Sequence, residues 1–147
     1  MRVFLGITAA LLVSAPVAAQ PSETDAQKLG QRAEAFINVR NQFDQAAMIA
    51  MMAPEYQEIS PVGEVDSRDR VIGFYAPDKK KPAPPMTITE TVARPAGALG
   101  VVTMRIAYAV PGKDGQMQTR AMRAGFVARR IRGDWQFVSL QLTPIRG

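Results

Sequence analysis

The chain has 147 residues, a formal net charge of +5, and neither histidine nor cysteine. This length suits one domain. The missing imidazole and thiol exclude disulfides, thiolate or imidazole metal sites, and catalysis with a histidine base. We therefore expect no metal and no cofactor, and any acid–base chemistry has to use Asp, Glu, Tyr or Lys.

The first 19 residues predict a cleavable signal peptide. Arg2 gives a positive start, the apolar run of residues 3–13 is too short to span a bilayer, and the small residues Val17 and Ala19 suit signal peptidase. We expect cleavage after Ala19, a secreted or periplasmic location, and a single domain over residues 20–147. A retained N-terminal anchor is the alternative.

Three helices are predicted in the first half of the remaining chain. The first, over residues 24–41, repeats apolar residues at helical spacing along a stripe that ends at Arg40. A shorter helix, "QAAMIAMMA", follows the capping residue Asp44, and a third helix over 68–75 starts after Asp66 or Ser67. The segment "EYQEIS" between the last two reads as a strand.

The second half of the chain predicts four antiparallel strands. They cover residues 86–93, 99–110, 117–130 and 135–143, with "PGKDGQ" and "RGD" as turns. Helices followed by strands indicate an α+β fold with the helices on one face of a curved sheet. The two long middle strands carry apolar residues on both faces, so we expect a second copy of the chain to cover the other face and form a homodimer.

Two segments resemble a known family. "FINVRNQFDQAAMIAMMAPEYQEISPVGEVDSRDRVIGFY" is similar to the front half of a SnoaL-like domain of the nuclear transport factor 2-like superfamily, and "AGFVARRIRGDWQFVSLQLTPI" to its closing hairpin. The resemblance implies a cone-like curved antiparallel sheet with three N-terminal helices packed on its concave face, around a mostly apolar cavity. Some members are isomerases, dehydratases, cyclases or epoxide hydrolases, and many others only bind or dimerise.

Glu90 is the sharpest candidate for acid–base chemistry. The alternation of its strand makes Glu90 the lone acid in an apolar stripe, between Ile88 and Val92. If this stripe faces the cavity, burial suits the carboxylate to general-base catalysis near neutral pH. The alternative is that Glu90 lies at the rim of the cone or pairs with Arg105 or Arg123 of neighbouring strands.

Tyr56 and Glu58 form a second candidate pair. They project to one face of a strand that we expect to border the mouth of the cone, where they would orient a polar group of a ligand; the alternative is a core-edge tyrosine and a solvated carboxylate. Tyr108 is expected to point into the same interior. Arg105 and Gln141 complete the predicted ligand-binding set, and relatives often carry histidine near the position of Gln141.

The positive charge does not predict nucleic-acid binding. The only tight basic run, Lys79 to Lys81, lies in "APDKKKPAPP", which has no interleaved aromatic residue and no helix to enter a groove. A solvated loop with polyproline character explains it.

Two functions remain open on the sequence alone. The first is an exported domain that binds a small apolar molecule and dimerises through its sheet. The second is an isomerase, dehydratase or hydrolase-type enzyme in which Glu90 or Glu58 moves a proton while Tyr108 or Tyr56 stabilises an oxyanion.

Overall fold

A computed structural model describes residues 23–146, so the predicted signal peptide lies outside the described residues. The helices are α1 (Asp25–Asn41), α2 (Gln45–Met51) and α3 (Arg68–Phe74), with a single 3₁₀ turn at Pro77–Lys79. The strands are β1 (Met52–Ile59), β2 (Val65–Ser67), β3 (Met86–Ala96), β4 (Leu99–Pro111), β5 (Met117–Ile131) and β6 (Asp134–Ile145). The predicted α+β class is confirmed.

Each helix starts at a side chain that accepts a hydrogen bond from the free N–H groups of its first turn. Thr24 and Gln27 form a complete capping box on α1. Asp44 accepts from the backbone N–H of Ala47 at the start of α2. Ser67, rather than Asp66, caps α3, because its hydroxyl accepts from the backbone N–H of Arg70.

The sheet has six strands in the order β2-β1-β6-β5-β4-β3 and is curved and unclosed. All neighbouring strands are antiparallel except β1 and β6, which run parallel. The family resemblance implied an antiparallel sheet, and the pairing of β1 with β6 is the exception. The parallel ladder is possible because about half of the chain separates β1 from β6, so no tight hairpin fixes their direction.

The core lies between α1 and the concave face of the sheet. Phe36 of α1 is fully buried, and its ring centroid lies 5.1 Å from that of Phe137 and 6.0 Å from those of Tyr56 and Phe126. Tilted and edge-on contacts of this kind add to the stabilisation from burial. The aromatic cluster fixes α1 across the strands and so sets where its C-terminal end projects.

The helix α1 packs closely on β4 at one end of the cone, which we call the narrow end. A side-chain carbon added at Gly100 of β4 would lie 2.5 Å from Cδ2 of Leu29 and 3.4 Å from the ring of Trp135. A larger residue at this position would require the Leu29 side chain to move. We call the opposite end, where α1 and α3 finish beside a pocket, the wide end.

A β-bulge divides β3. Thr89 pairs with Arg105, whereas the next paired residue is Val92, opposite Thr103. Glu90 lies within the bulge with φ of 55°, a conformation uncommon for a residue with a side chain. The extra residue reverses the alternation, so that Ala93 packs on the core and Val92 is exposed.

The outer face of the sheet is partly apolar. Val92, Val101 and Val127 are 43%, 44% and 39% exposed. Val101 and Val127 are direct cross-strand partners, and Val92 of β3, opposite Thr103, lies diagonally across from Val101. Within residues 23–146, no helix is long and apolar enough to cross a membrane.

Candidate functional site

A pocket of about 290 Å³ opens at the wide end of the cone. It lies where the C-terminal ends of α1 and α3 meet strands β4 to β6. Its wall is mainly apolar and its polar groups are concentrated at Arg40 and two tyrosines. The lining residues are Ile37, Arg40, Asn41, Phe43, Phe74, Tyr75, Tyr108, Met122 and Leu142.

A buried ion pair forms the polar floor of this pocket. Both terminal nitrogens of Arg40 donate to the two carboxylate oxygens of Glu58, each at 2.8 Å. The side chains are only 9% and 7% exposed. Bidentate geometry and burial make this a strong, directional contact, and either partner alone would leave an uncompensated charge.

Two phenols complete the network. The Tyr56 hydroxyl donates to Glu58 at 2.8 Å, and Nε of Arg40 donates to the Tyr75 hydroxyl at 3.0 Å. The Arg40 guanidinium also lies 5.1 Å from the ring centroid of Tyr75 and 5.5 Å from that of Phe36. These contacts lock the guanidinium in one orientation at the edge of the aromatic core.

The network sets the ionisation of its members. Burial raises the pKa of Tyr56 well above its ordinary value, against the opposing attraction of Arg40. Burial likewise raises the pKa of Tyr108. Burial by itself would lower the pKa of Arg40, but Tyr75, Glu58 and Tyr56 together raise it. At neutral pH the phenols of Tyr56 and Tyr108 are therefore neutral and the Arg40 guanidinium is charged.

Phe43 closes one side of the pocket from an unusual backbone position. The N–H of Phe43 donates to the carbonyl of Arg40, and that of Asp44 to the carbonyl of Val39, which is the Schellman arrangement at the end of α1. The left-handed position of this motif usually holds glycine, but here Phe43 occupies it with φ of 58°. Its ring centroid lies 5.3 Å from that of Tyr75. Strained residues of this kind cluster at ligand sites.

Three of the predicted site residues come together. Tyr56 and Glu58 are buried on the inner face of β1 beneath the pocket, and Tyr108 lines the pocket from β4. Glu58 already accepts hydrogen bonds from two Arg40 nitrogens and from the Tyr56 hydroxyl. Its oxygens are therefore engaged in holding Arg40, and Glu58 serves as a positioning residue beneath the pocket.

Glu90 lies outside the pocket. Its carboxylate pairs with Arg123 at 2.7 Å, and its side chain is 55% exposed. The predicted apolar stripe would have carried Glu90 inward, but the bulge interrupts that stripe. This position matches the alternative in which Glu90 pairs with an arginine of a neighbouring strand, and the partner is Arg123 rather than Arg105.

Arg105 and Gln141 lie on the outer face of the sheet. Arg105 stands between the fully buried Met104 and Ile106, and Gln141 is exposed next to the buried Leu140. Because alternate residues of a strand face opposite sides, both point away from the concave face. The ligand-binding roles predicted for them have no counterpart in the pocket lining.

Sequence reasoning missed Arg40 and Tyr75. Arg40 belongs to the apolar stripe of α1, one turn after Phe36, where a cation has to be buried. A lone arginine on the core face of a helix is the signal that would have found it, since such a charge needs a buried partner. Tyr75 gave no comparable signal, because its role depends on where α3 ends.

The arrangement can hold a small molecule but offers no free base. The apolar wall can bury the body of a ligand, and the guanidinium and phenols can donate hydrogen bonds to its polar end. Among residues 23–146, no group of three or more acidic side chains is placed to hold a metal ion.

Comparison with known proteins gives the family. The sequence matches the SnoaL-like domain family over residues 30–145. No curated protein matches the chain in sequence.

Solved structures share the fold. They include the hub of the S. rosetta CaMKII (14% identity, 85% of this chain, 100% of that chain, TM-score 0.75). A ketosteroid isomerase-like protein from Erwinia carotovora atroseptica has 18% identity over 84% of this chain and 98% of that chain, with a TM-score of 0.65. An NTF2-like protein of unknown function in nutrient uptake from Rhodospirillum rubrum has 19% identity over 80% and 98%, with a TM-score of 0.65. The solved structures show that the chain shares the fold of NTF2-like proteins, and the family match over most of the chain shows that it belongs to the SnoaL-like domain family.

Proposed function

We propose that this chain is an exported, non-catalytic domain that binds a small, mostly apolar molecule in the pocket at the wide end of its cone. The observation that carries the proposal is the pocket itself. Its volume of about 290 Å³ admits a small organic molecule, and its apolar wall surrounds a rigid polar floor at Arg40. Few polar groups in an apolar concavity are typical of small-molecule sites.

The positions of the acids favour binding over catalysis. An isomerase or dehydratase mechanism needs a base within hydrogen-bond reach of the substrate. Glu90 is half exposed beside Arg123, and the oxygens of Glu58 are already bonded to Arg40 and Tyr56. The phenol of Tyr108 stays neutral near pH 7, so it can donate a hydrogen bond but does not supply a base.

The proposal includes a homodimer formed through the outer face of the sheet. Val92, Val101 and Val127 give this face an apolar centre that a second copy would bury. One structural neighbour is itself named a hub. Sedimentation of the chain at micromolar concentration, with Val101→Glu/Val127→Glu as the interface variant, tests this part. A monomer in the unaltered chain would contradict it.

Export rests on residues outside the described part of the chain. The positive start, short apolar run and small residues before position 20 support a secreted or periplasmic location. Mass spectrometry of the N-terminus of the protein from the cell envelope or medium tests it. A chain that keeps residues 1–19 and stays in the cytoplasm would contradict export.

The binding proposal is tested with three neutral probes: hexan-1-ol, cyclohexanone and indole. Each is titrated into labelled protein, and the methyl resonances of Ile37, Met122 and Leu142 are followed by NMR. We expect saturable shifts confined to the pocket for at least one probe. No saturable shift for any of them at millimolar concentration would contradict the proposal.

Two tryptophan substitutions on β5 provide the matched control. Met122→Trp fills the pocket, whereas Met117→Trp places the same bulk at a position 61% exposed near the hairpin. Binding should be lost in the first variant and kept in the second. Equal binding by both variants would mean that the probes bind elsewhere.

A further inference from the structure

We infer that the molecule bound in the pocket carries a carboxylate on a short apolar body; this deepens the proposed function and rests on it. The juxtaposition that carries the inference is a cluster of unused hydrogen-bond donors on the pocket wall, next to a lysine-rich loop at its entrance. Both features select an acceptor that is also an anion.

Arg40 supplies part of the donor cluster. A guanidinium has five N–H groups, and Arg40 spends one on the Tyr75 hydroxyl and two on Glu58. Within residues 23–146 the other two have no acceptor, and they belong to the terminal nitrogens of a side chain that lines the pocket. They point from opposite edges of the guanidinium plane, because the pair with Glu58 uses the edge that faces away from Nε, so each can donate to a separate oxygen but the two do not grip one carboxylate together.

The two phenols extend the cluster. The Tyr75 oxygen accepts from Arg40, so its own O–H is left to donate. The Tyr108 hydroxyl has no hydrogen-bond partner among residues 23–146, and its half-buried side chain lies on the same wall. A ligand that excludes water from this hydroxyl has to accept its hydrogen bond, and a ligand oxygen can do so.

The pocket wall carries fewer side-chain hydrogen-bond acceptors than donors. Asn41 is the one lining side chain with a carbonyl oxygen, and its amide nitrogen donates to the carbonyl of Pro84 at 3.4 Å. Glu58 lies beneath the wall, with its oxygens turned to Arg40 and Tyr56. A ligand head that donates hydrogen bonds would therefore find few acceptors, whereas one that accepts them finds donors on Arg40, Tyr75 and Tyr108.

The entrance favours a negative charge. Glu58 balances the charge of Arg40, so the floor alone does not distinguish an anion from a neutral carbonyl. Lys79, Lys80 and Lys81 add three positive charges on a surface that shares Phe43 and Phe74 with the pocket. Asp78 in the same loop and Asp44 nearby offset part of this charge. The remainder attracts an anion and raises its association rate.

The test compares three probes with one six-carbon chain: hexanoate, hexanamide and hexan-1-ol. Dissociation constants come from NMR titration of the whole domain at low salt. Because charge-assisted hydrogen bonds exceed neutral ones, we expect hexanoate to bind about tenfold or more tightly than hexan-1-ol. Equal or weaker binding of hexanoate would overturn the carboxylate inference and leave small-molecule binding intact, whereas no binding of any probe would overturn both.

Two variants that keep the buried Arg40–Glu58 pair test which side chains cause the tighter binding of hexanoate. Tyr108→Phe should weaken hexanoate severalfold more than it weakens hexan-1-ol, because the lost hydrogen bond to the carboxylate is charge-assisted. Lys80→Ser/Lys81→Ser should weaken only hexanoate, and added salt should shrink this loss. The control Lys28→Ser/Arg132→Asn makes the same charge change at the narrow end of the cone and should weaken neither probe. The inference would be overturned if both charge variants lost the same affinity for hexanoate, or if Tyr108→Phe lost none.

Discussion

Replacing Glu58 with leucine tests the buried ion pair that forms the floor of the pocket. Glu58 is 5% exposed and accepts three hydrogen bonds of 2.8 Å, two of them from Arg40. Its loss leaves the Arg40 guanidinium buried without a counter-charge. Removing one partner of a buried pair costs about 3–5 kcal/mol. This is a large share of the roughly 5–15 kcal/mol that stabilises a domain of this size.

Urea unfolding followed by circular dichroism measures the loss. The corresponding fall in melting temperature is roughly 10–20 °C. Glu55→Leu is the matched control, because Glu55 lies on the same strand and pairs with Arg129, but is 43% exposed. An exposed pair contributes at most about 1 kcal/mol.

The double variant Arg40→Met/Glu58→Leu isolates the coupling between the two side chains. Removing both charges should recover most of the stability lost in Glu58→Leu, because no buried charge then lacks a partner. The reasoning is refuted if Glu58→Leu costs less than about 1 kcal/mol, if Glu55→Leu costs as much, or if the double variant loses the sum of the two single losses.

Three further predictions concern the strained and titrating residues. Phe43→Gly should leave the melting temperature unchanged or raise it, because glycine adopts the left-handed backbone conformation without strain. The same variant removes the ring that closes one side of the pocket, so NMR titration should show hexan-1-ol binding weakened severalfold. A lower melting temperature with unchanged affinity would contradict this prediction. Glu90→Gly should change the free energy of unfolding by no more than about 1 kcal/mol and leave probe binding unchanged. A tenfold loss of binding would show that Glu90 contributes to the binding site. Because burial raises the pKa of Tyr56 and Tyr108, the folded state favours the neutral phenol, so their contribution to stability is complete below about pH 10 and is lost as pH rises toward the raised values. Urea midpoints that stay constant through that alkaline range, while phenol absorbance shows ionisation, would contradict the last prediction.

The fold could be predicted because its elements are locally encoded. The apolar stripe of α1, the capping residues Asp44 and Ser67, and the turns between the long strands each depend on neighbouring residues. The parallel pairing of β1 with β6 could not be predicted, because it joins segments separated by about half of the chain.

The site was predicted only in part, for two physical reasons. Strict alternation correctly placed Tyr56 and Glu58 on the inner face of β1, but it failed at Glu90, where one extra residue in β3 reverses the faces. Arg40 was visible as a charge on an apolar stripe. Its partner could not be found from the sequence, since eighteen residues and a helix–strand crossing separate it from Glu58.

A crystal structure of the protein purified from its own host tests small-molecule binding most directly. We predict density for a small molecule in the pocket between Arg40, Tyr108 and Met122, with an oxygen-bearing end at the guanidinium and an apolar body toward Leu142. A pocket filled by the rings of Phe43 and Phe74, with no room for a ligand, would contradict it.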